Sequence, residues 1–201
     1  MKLPLRIFVL NGQGCSGKDT FKNFIIDYDK ELNGTTRIST YSIIDNIKFI
    51  AKSCGWTGYK DFRDRIFLHD LKVLLDKYND YPYKTVKNFI NKINNTTLNG
   101  QLICPYIFID IREIKDLERI CKDFNCTTIL IKRGTMINFG NDADDNVENW
   151  NYDYVVDNNG TLDDLKDSAI TFWNSILREE RIILNSEYED VNINNINLYS
   201  S

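Results

Sequence analysis

The chain predicts an α/β fold in which a five-stranded, mostly parallel sheet is covered by helices on both faces. Three observations carry this expectation. Short apolar runs, such as Leu5 to Leu10, alternate with segments whose apolar residues recur at helical spacing. The stretch Leu102 to Asp110 is almost uninterruptedly apolar and ends in a carboxylate, as in a strand buried on both faces. A glycine-rich loop, Gly12 to Thr20, joins the first strand to the first helix, and the strand-to-helix unit then repeats about five times.

After the loop, Phe21, Phe24, Ile25 and Tyr28 mark the first helix, which Asn33-Gly34 closes. A second strand is expected at about Thr35 to Tyr41. Helices are expected at about Ser42 to Cys54 and Asp61 to Tyr78, separated by Gly55-Trp56-Thr57-Gly58. The second should bury Phe67, Leu71, Leu74, Leu75 and Tyr78. Tyr81-Pro82 ends that region, and Tyr83 to Ile93 reads as a weaker helix. Gln101 to Asp110 is the third strand, followed by a helix with Ile114, Leu117, Ile120, Cys121 and Phe124 on its buried stripe. Thr127 to Ile131 and Tyr154 to Val156 are the last strands, the latter turning at Asp157-Asn158-Asn159-Gly160. Thr161 and Asp164 read as a capping box for a helix that buries Leu165, Ala169, Phe172, Trp173 and Ile176.

With 201 residues and no break in composition, one domain is expected over 1–184, with a helical insert at about 42–98, a lid at about 134–150 and a tail over 185–201. The tail is Asn-rich, with Val191, Ile193, Ile196 and Leu198 interspersed. Its pattern leaves open disorder, an added edge strand or a homodimer contact. A net charge of −4, with lysines dispersed among carboxylates, argues against a nucleic-acid surface. Five cysteines without a Cys-x-x-Cys pair point to a reduced, cytoplasmic setting, and no export segment or membrane span is expected. The single histidine, His69, gives zinc sites and Ser-His-Asp catalysis little to work with, and it reads as a surface or supporting residue.

Gly12-Gln13-Gly14-Cys15-Ser16-Gly17-Lys18-Asp19-Thr20 has the spacing of a phosphate-binding P-loop. In such a loop backbone N–H groups converge on phosphate oxygens, the following helix end adds partial positive charge and Lys18 adds a full one. The expected ligand is a nucleoside triphosphate, held by Gly12, Gly14, Cys15, Ser16, Gly17, Lys18, Asp19 and Thr20, and the fold becomes a P-loop three-layer fold. Asp19 stands where a Ser or Thr hydroxyl commonly holds Mg2+, so Asp19 is read either as a metal-shell carboxylate or as a helix N-terminal charge. Asp110, at a strand end on the same rim, is read as a second metal or substrate carboxylate, with a helix N-cap as the competing reading. Arg112 and Arg133 are candidates for steering an acceptor phosphate and for the charge developing in transfer. Arg63 and Arg65 sit in the insert, where an acceptor pocket has room; a solvated helix face is the competing reading, expected for at least one of the two.

These blocks resemble the phage-type deoxynucleoside monophosphate kinases of the nucleoside monophosphate kinase-like P-loop proteins. The loop is similar to their Ser-Gly-Lys-Asp-Thr sequence, Ser42 to Lys48 to their segment ending in Ile-Lys, and Arg65 falls near their substrate-region arginine. Asp110 to Glu113 is similar to their Asp-x-Arg signature, Ile129 to Arg133 to a strand ending in arginine, and Tyr152 to Leu165 to their final strand, turn and helix. Together they span about residues 5 to 175.

The resemblance implies transfer of the ATP γ-phosphoryl group to a nucleotide monophosphate, with ATP and Mg2+ as cofactors. It also implies catalytic roles for Lys18, Asp110, Arg112 and Arg133, and substrate contacts from Ser42, Lys48, Arg63, Arg65 and Arg112. The lid departs from the family: Met136 to Trp150 carries Asp142, Asp144, Asp145 and Glu148 and no arginine, and Asp145-Asn146-Val147-Glu148-Asn149 replaces an Asp-His-x-Ser-Glu type motif. Two alternatives therefore stay open, a kinase with a hydroxyl acceptor and a P-loop protein that binds nucleotide without turnover. A regulatory GTPase is disfavoured, because no Asn-Lys-x-Asp base reader is present.

Overall fold

A computed structural model describes residues 4–35, 37–59, 61–98, 101–102, 104–134 and 147–198. Among the described residues seven strands and six helices follow in chain order: β1 (Arg6–Asn11), α1 (Lys18–Asn33), β2 (Ile38–Ser42), α2 (Asp45–Ser53), α3 (Phe62–Asn79), α4 (Tyr81–Asn95), β3 (Thr97–Leu98), β4 (Gln101–Leu102), β5 (Tyr106–Asp110), α5 (Ile114–Asp123), β6 (Cys126–Lys132), β7 (Tyr154–Asp157) and α6 (Leu162–Leu198). The main sheet has the order β2-β5-β1-β6-β7 with every pair parallel, and β3 and β4 form a separate antiparallel pair. This is the expected α/β P-loop three-layer arrangement.

Alternation along the central strands builds the two outer layers. Phe8, Leu10, Tyr106, Phe108, Ile129 and Ile131 face α1 and α6, meeting Phe21, Ile25, Phe172 and Trp173. Ile7, Val9, Ile107 and Ile109 face the other way, toward Val86 and Ile90 of α4 and Leu117 and Ile120 of α5. Phe8 stacks on Phe108 with centroids 4.9 Å apart, and Trp173 packs edge-on against Tyr106 at 4.7 Å. Each such fully buried aromatic contributes roughly 1.5–3 kcal/mol through burial. Register places Leu10 beside Asp110, Ser42 beside Asp110, and Lys132 beside Asp157. The carboxyl ends of all five strands therefore form one rim, and β1, flanked by β5 and β6, carries the glycine loop at the point where the strand order reverses.

Several expectations need correction. The stretch Gln101 to Asp110 is not one strand: Pro105, which has no N–H to give to a ladder, separates β4 from β5. Ser42 ends β2 and does not open a helix; the expected helix begins at Asp45. Pro82 opens α4 and does not end the preceding element, because proline's missing N–H costs nothing in a helix's first turn. The face expected to be buried on α3 is largely outside, with Leu74 63% and Tyr78 80% exposed. In the tail the backbone continues α6 to Leu198, so the added edge strand is overturned and the boundary at 185 falls inside a helix. The capping box forms as expected: Thr161 N donates to Asp164 at 2.7 Å and Asp164 N donates to Thr161 Oγ1 at 3.2 Å. Among the described residues no helix is long and apolar enough to cross a membrane. Residues 135–146 of the expected lid, including Asp142, Asp144 and Asp145, lie outside the described residues.

Candidate active site

The glycine loop is held by its neighbours on both sides. Gly12, Cys15 and Gly17 all have positive φ, at 143°, 63° and 99°, so the backbone curls between β1 and α1 in the way that gathers successive N–H groups into an anion-binding concavity. A Cβ at Gly12 would overlap the Ile131 carbonyl, and one at Gly17 would overlap the side-chain amide of Asn158. Both positions require glycine for space as well as for conformation. Buried Asn158 donates its amide to Ser16 O at 2.8 Å, while its own N–H donates to Lys132 O at 2.7 Å. On the other side Asn11 accepts from Gly12 N at 2.7 Å and donates to Arg112 O at 3.1 Å. The Lys18 ammonium lies over the loop, donating to Gly12 O, to Gln13 O at 2.7 Å and to Ser16 Oγ at 3.4 Å. Ser16 and Gly14 are buried, Cys15 is exposed, and Asp19 and Thr20 lie on the first turn of α1, whose end adds positive potential.

Beside the loop, a cavity of about 370 Å³ opens between the ends of β2 and β5 and the helices α2 and α3. Six cationic side chains line it: Lys18 and Lys22 from α1, Lys48 from α2, Arg65 and Lys72 from α3, and Arg112 after β5. Four carboxylates oppose them: Asp19, Asp45, Asp110 and Glu113. The wall is thus net positive in a chain of net charge −4, which suits a small anionic ligand. Thr40 to Ile44, Leu68 and His69 complete the lining.

Lys22 bridges the two carboxylates expected to hold Mg2+. Its ammonium, on a side chain only 9% exposed, pairs with Asp110 Oδ2 and reaches Asp19 Oδ1 at 3.3 Å. Burial pushes the Asp110 carboxyl above its ordinary value, against the pull of Lys22. Its second oxygen, Oδ1, is buried and has no hydrogen-bond partner. Asp110 is not a helix cap, since α5 begins four residues later with Glu113 in the N-cap position. An ammonium already sits between Asp110 and Asp19, and among the described residues no group of three or more His, Cys, Asp or Glu side chains is placed to hold a metal ion. The pair does not fit a direct divalent-ion site.

The far wall is fixed by charge. Buried Lys72 of α3 pairs with Glu113 and, at 2.7 Å, with Asp116. Two more links tie α3 and its C-cap to α5: Lys115 to Asp76 at 3.2 Å, and Arg119 to Asp80, just beyond α3, through two hydrogen bonds of 2.8 and 2.6 Å. Burial raises Asp116 despite Lys72. Burial also opposes ionisation of Glu113, but the hydrogen bonds and charges of Lys72 and Lys115 hold it below the usual carboxylate range.

No family model matches the chain, and no curated protein matches it. Among solved structures it is similar to TT1252 from Thermus thermophilus, with 15% identity and a TM-score of 0.48 over 89% of this chain and 98% of that one.

Of the residues singled out in the sequence, Lys18, Asp19, Ser42, Lys48, Arg65, Asp110 and Arg112 meet at the cavity. Arg63 is exposed on the first turn of α3 and is not part of the cavity wall, which matches the solvated-face alternative for one of the two arginines. Arg133 is exposed beside a much smaller depression shared with Gln13, Lys132 and Glu148, away from the main cavity. His69 reaches the cavity wall from α3. Sequence reasoning missed Asn11, Lys22, Lys72 and Asn158. Lys22 had a legible signal, since it stands four residues after Lys18 and so on the same face of α1. Asn158 was visible only as a turn residue.

Proposed function

We propose that the protein is an ATP-dependent phosphotransferase that moves the γ-phosphoryl group to a nucleoside or deoxynucleoside monophosphate. The observation that supports this most is the adjacency of a glycine loop capped by Lys18 to a cavity lined by Lys48, Arg65, Lys72 and Arg112. A triphosphate on the loop and a phosphorylated acceptor in the cavity would meet where Lys18 and Lys22 stand.

The loop's N–H groups and the α1 terminus bind the triphosphate, and Lys18 exchanges its carbonyl partners for phosphate oxygens. Arg65, Lys48 and Arg112 orient the acceptor phosphate; a guanidinium grips such a group through two parallel hydrogen bonds. A phosphate monoester is already largely dianionic at neutral pH. Positioning and charge neutralisation, not proton abstraction, are then the main requirements. Mg2+ is proposed to arrive with the phosphates of ATP, whose charge it neutralises. Asn158 and Asn11 keep the loop in its binding shape, and the ionic links of α3 to α5 hold the acceptor wall in place.

One observation favours a second reading, a kinase of hydroxyl acceptors. Asp110 lines the same cavity, burial holds its carboxyl above its ordinary value, and such a group would suit a base that accepts a hydroxyl proton. Coupled measurement of ADP release against a panel of nucleoside monophosphates and nucleosides, with Lys18→Ala as control, separates the two. Turnover confined to monophosphates and lost in the control supports the first reading. Turnover confined to nucleosides supports the second, and ATP binding with no turnover leaves a nucleotide-binding role.

A further inference from the structure

We infer that Lys22 is the built-in cation of the Asp19–Asp110 pair, so that the protein holds no divalent ion of its own there. The inference stands on the nucleotide-free geometry and does not depend on which acceptor is phosphorylated. Lys22 projects from α1 one turn beyond Lys18, and its side chain is more than nine-tenths buried between β5 and the helix. Its ammonium pairs with Asp110 Oδ2 and lies 3.3 Å from Asp19 Oδ1, which bridges a buried carboxylate and one whose side chain is 88% exposed. A divalent ion able to use both carboxylates would have to stand where this ammonium stands.

The chemistry of the site opposes such an ion. Mg2+ demands near-octahedral oxygen ligation and gives up its water reluctantly. Here it would meet two carboxylates already sharing a positive charge, with Lys18 and Arg112 also on the wall. Displacing Lys22 would leave its ammonium buried without its partner, the arrangement that costs most in a protein interior. The orphaned Asp110 Oδ1 does not reverse this, because one oxygen beside a resident ammonium supplies a single ligand. Lys22 therefore keeps Asp110 in place and balances its charge, and acts as a positioning residue.

The test is Mn2+ binding to the nucleotide-free protein, read from the loss of the free-ion electron paramagnetic resonance signal. Wild type and Lys22→Arg, which both keep a cation between the carboxylates, should show no saturable site. Lys22→Met preserves most of the buried stem and should open one site, with binding about tenfold tighter or more than any wild-type association. Adding Asp110→Asn to Lys22→Met should remove that site. Circular dichroism and thermal unfolding establish that each variant is folded. A wild-type Mn2+ site that Asp110→Asn abolishes would overturn the inference, and that measurement needs no Lys22 variant to fold. A folded Lys22→Met protein without a new site would overturn it as well.

Discussion

Asn158 and Ser16, 142 residues apart in sequence, are joined by a hydrogen bond of 2.8 Å from the buried side-chain amide to the backbone carbonyl of the glycine loop. The same amide occupies the space that a Cβ on Gly17 would need. The turn after β7 is thereby a clamp on the loop after β1, reaching it across β6.

Removing that clamp should loosen the loop before it unfolds the protein. Asn158→Ala leaves Ser16 O without its partner and should cost about 1–3 kcal/mol. Gly17→Ala adds a side chain at φ 99° that also strikes Asn158, and should cost as much or more. Both should weaken ATP binding measured by calorimetry while thermal unfolding stays cooperative. Unchanged ATP affinity in both variants would remove the clamp from the binding account.

Arg65 and Arg63 are two residues apart on α3 but only Arg65 lines the cavity. Arg65→Ala and Arg112→Ala should raise KM for the acceptor by about tenfold to a hundredfold, the worth of a hydrogen bond to a charged group. KM for ATP should change little. Arg63→Ala should behave as wild type in the same steady-state assay, and an equal effect at Arg63 would place the acceptor elsewhere.

The anchor of the cavity's far wall is Lys72. Lys72→Met would strand the buried Asp116 without its cation and leave Glu113 with Lys115 alone, and should destabilise by about 3–5 kcal/mol. Combining it with Glu113→Gln and Asp116→Asn removes the stranded charges and should restore part of that loss. Urea unfolding of the two variants gives the comparison, and no recovery in the triple variant would mean that packing, not charge, carries the effect.

Acid should weaken the same α3–α5 junction. The hydrogen bond and charge of Arg119 hold Asp80 below its ordinary value despite partial burial, and Glu113 is also held low. A lowered pKa contributes stability above the unfolded value, near the ordinary aspartate value of about 3.9, and that stability is lost as pH falls through the folded value. Asp80 sits at φ 60° between α3 and α4, a conformation that asparagine also tolerates. Asp80→Asn should therefore be slightly less stable than wild type at pH 7, and the difference should vanish on acidification. Thermal unfolding as a function of pH checks this; a gap that stays constant would assign the effect to conformation and not to charge.

The layers and the glycine loop between β1 and α1 were legible because their signals are local. Uninterrupted apolar runs fit strands covered on both faces, and the glycines at 12 and 17 fall where the backbone has positive φ. Expectations failed where local pattern says that a face exists but not what covers it. Phe67, Leu71, Leu74 and Tyr78 follow helical spacing, yet α3 turns its buried charge, Lys72, toward α5 and leaves Leu74 and Tyr78 outside. Asn158 was hidden, since an ordinary turn asparagine gains its role from Ser16, far away in the chain; Lys22 was legible as a lysine on the Lys18 face of α1, but its pairing with Asp110 was not.

The most direct measurement follows a radiolabelled γ-phosphate from ATP in a mixture of nucleoside monophosphates and nucleosides, with products separated by chromatography. The account predicts label in a nucleoside diphosphate other than ADP formed by the donor, and none with Lys18→Ala. Label in a nucleoside monophosphate, in inorganic phosphate alone, or still in ATP while the protein binds it, would contradict the account.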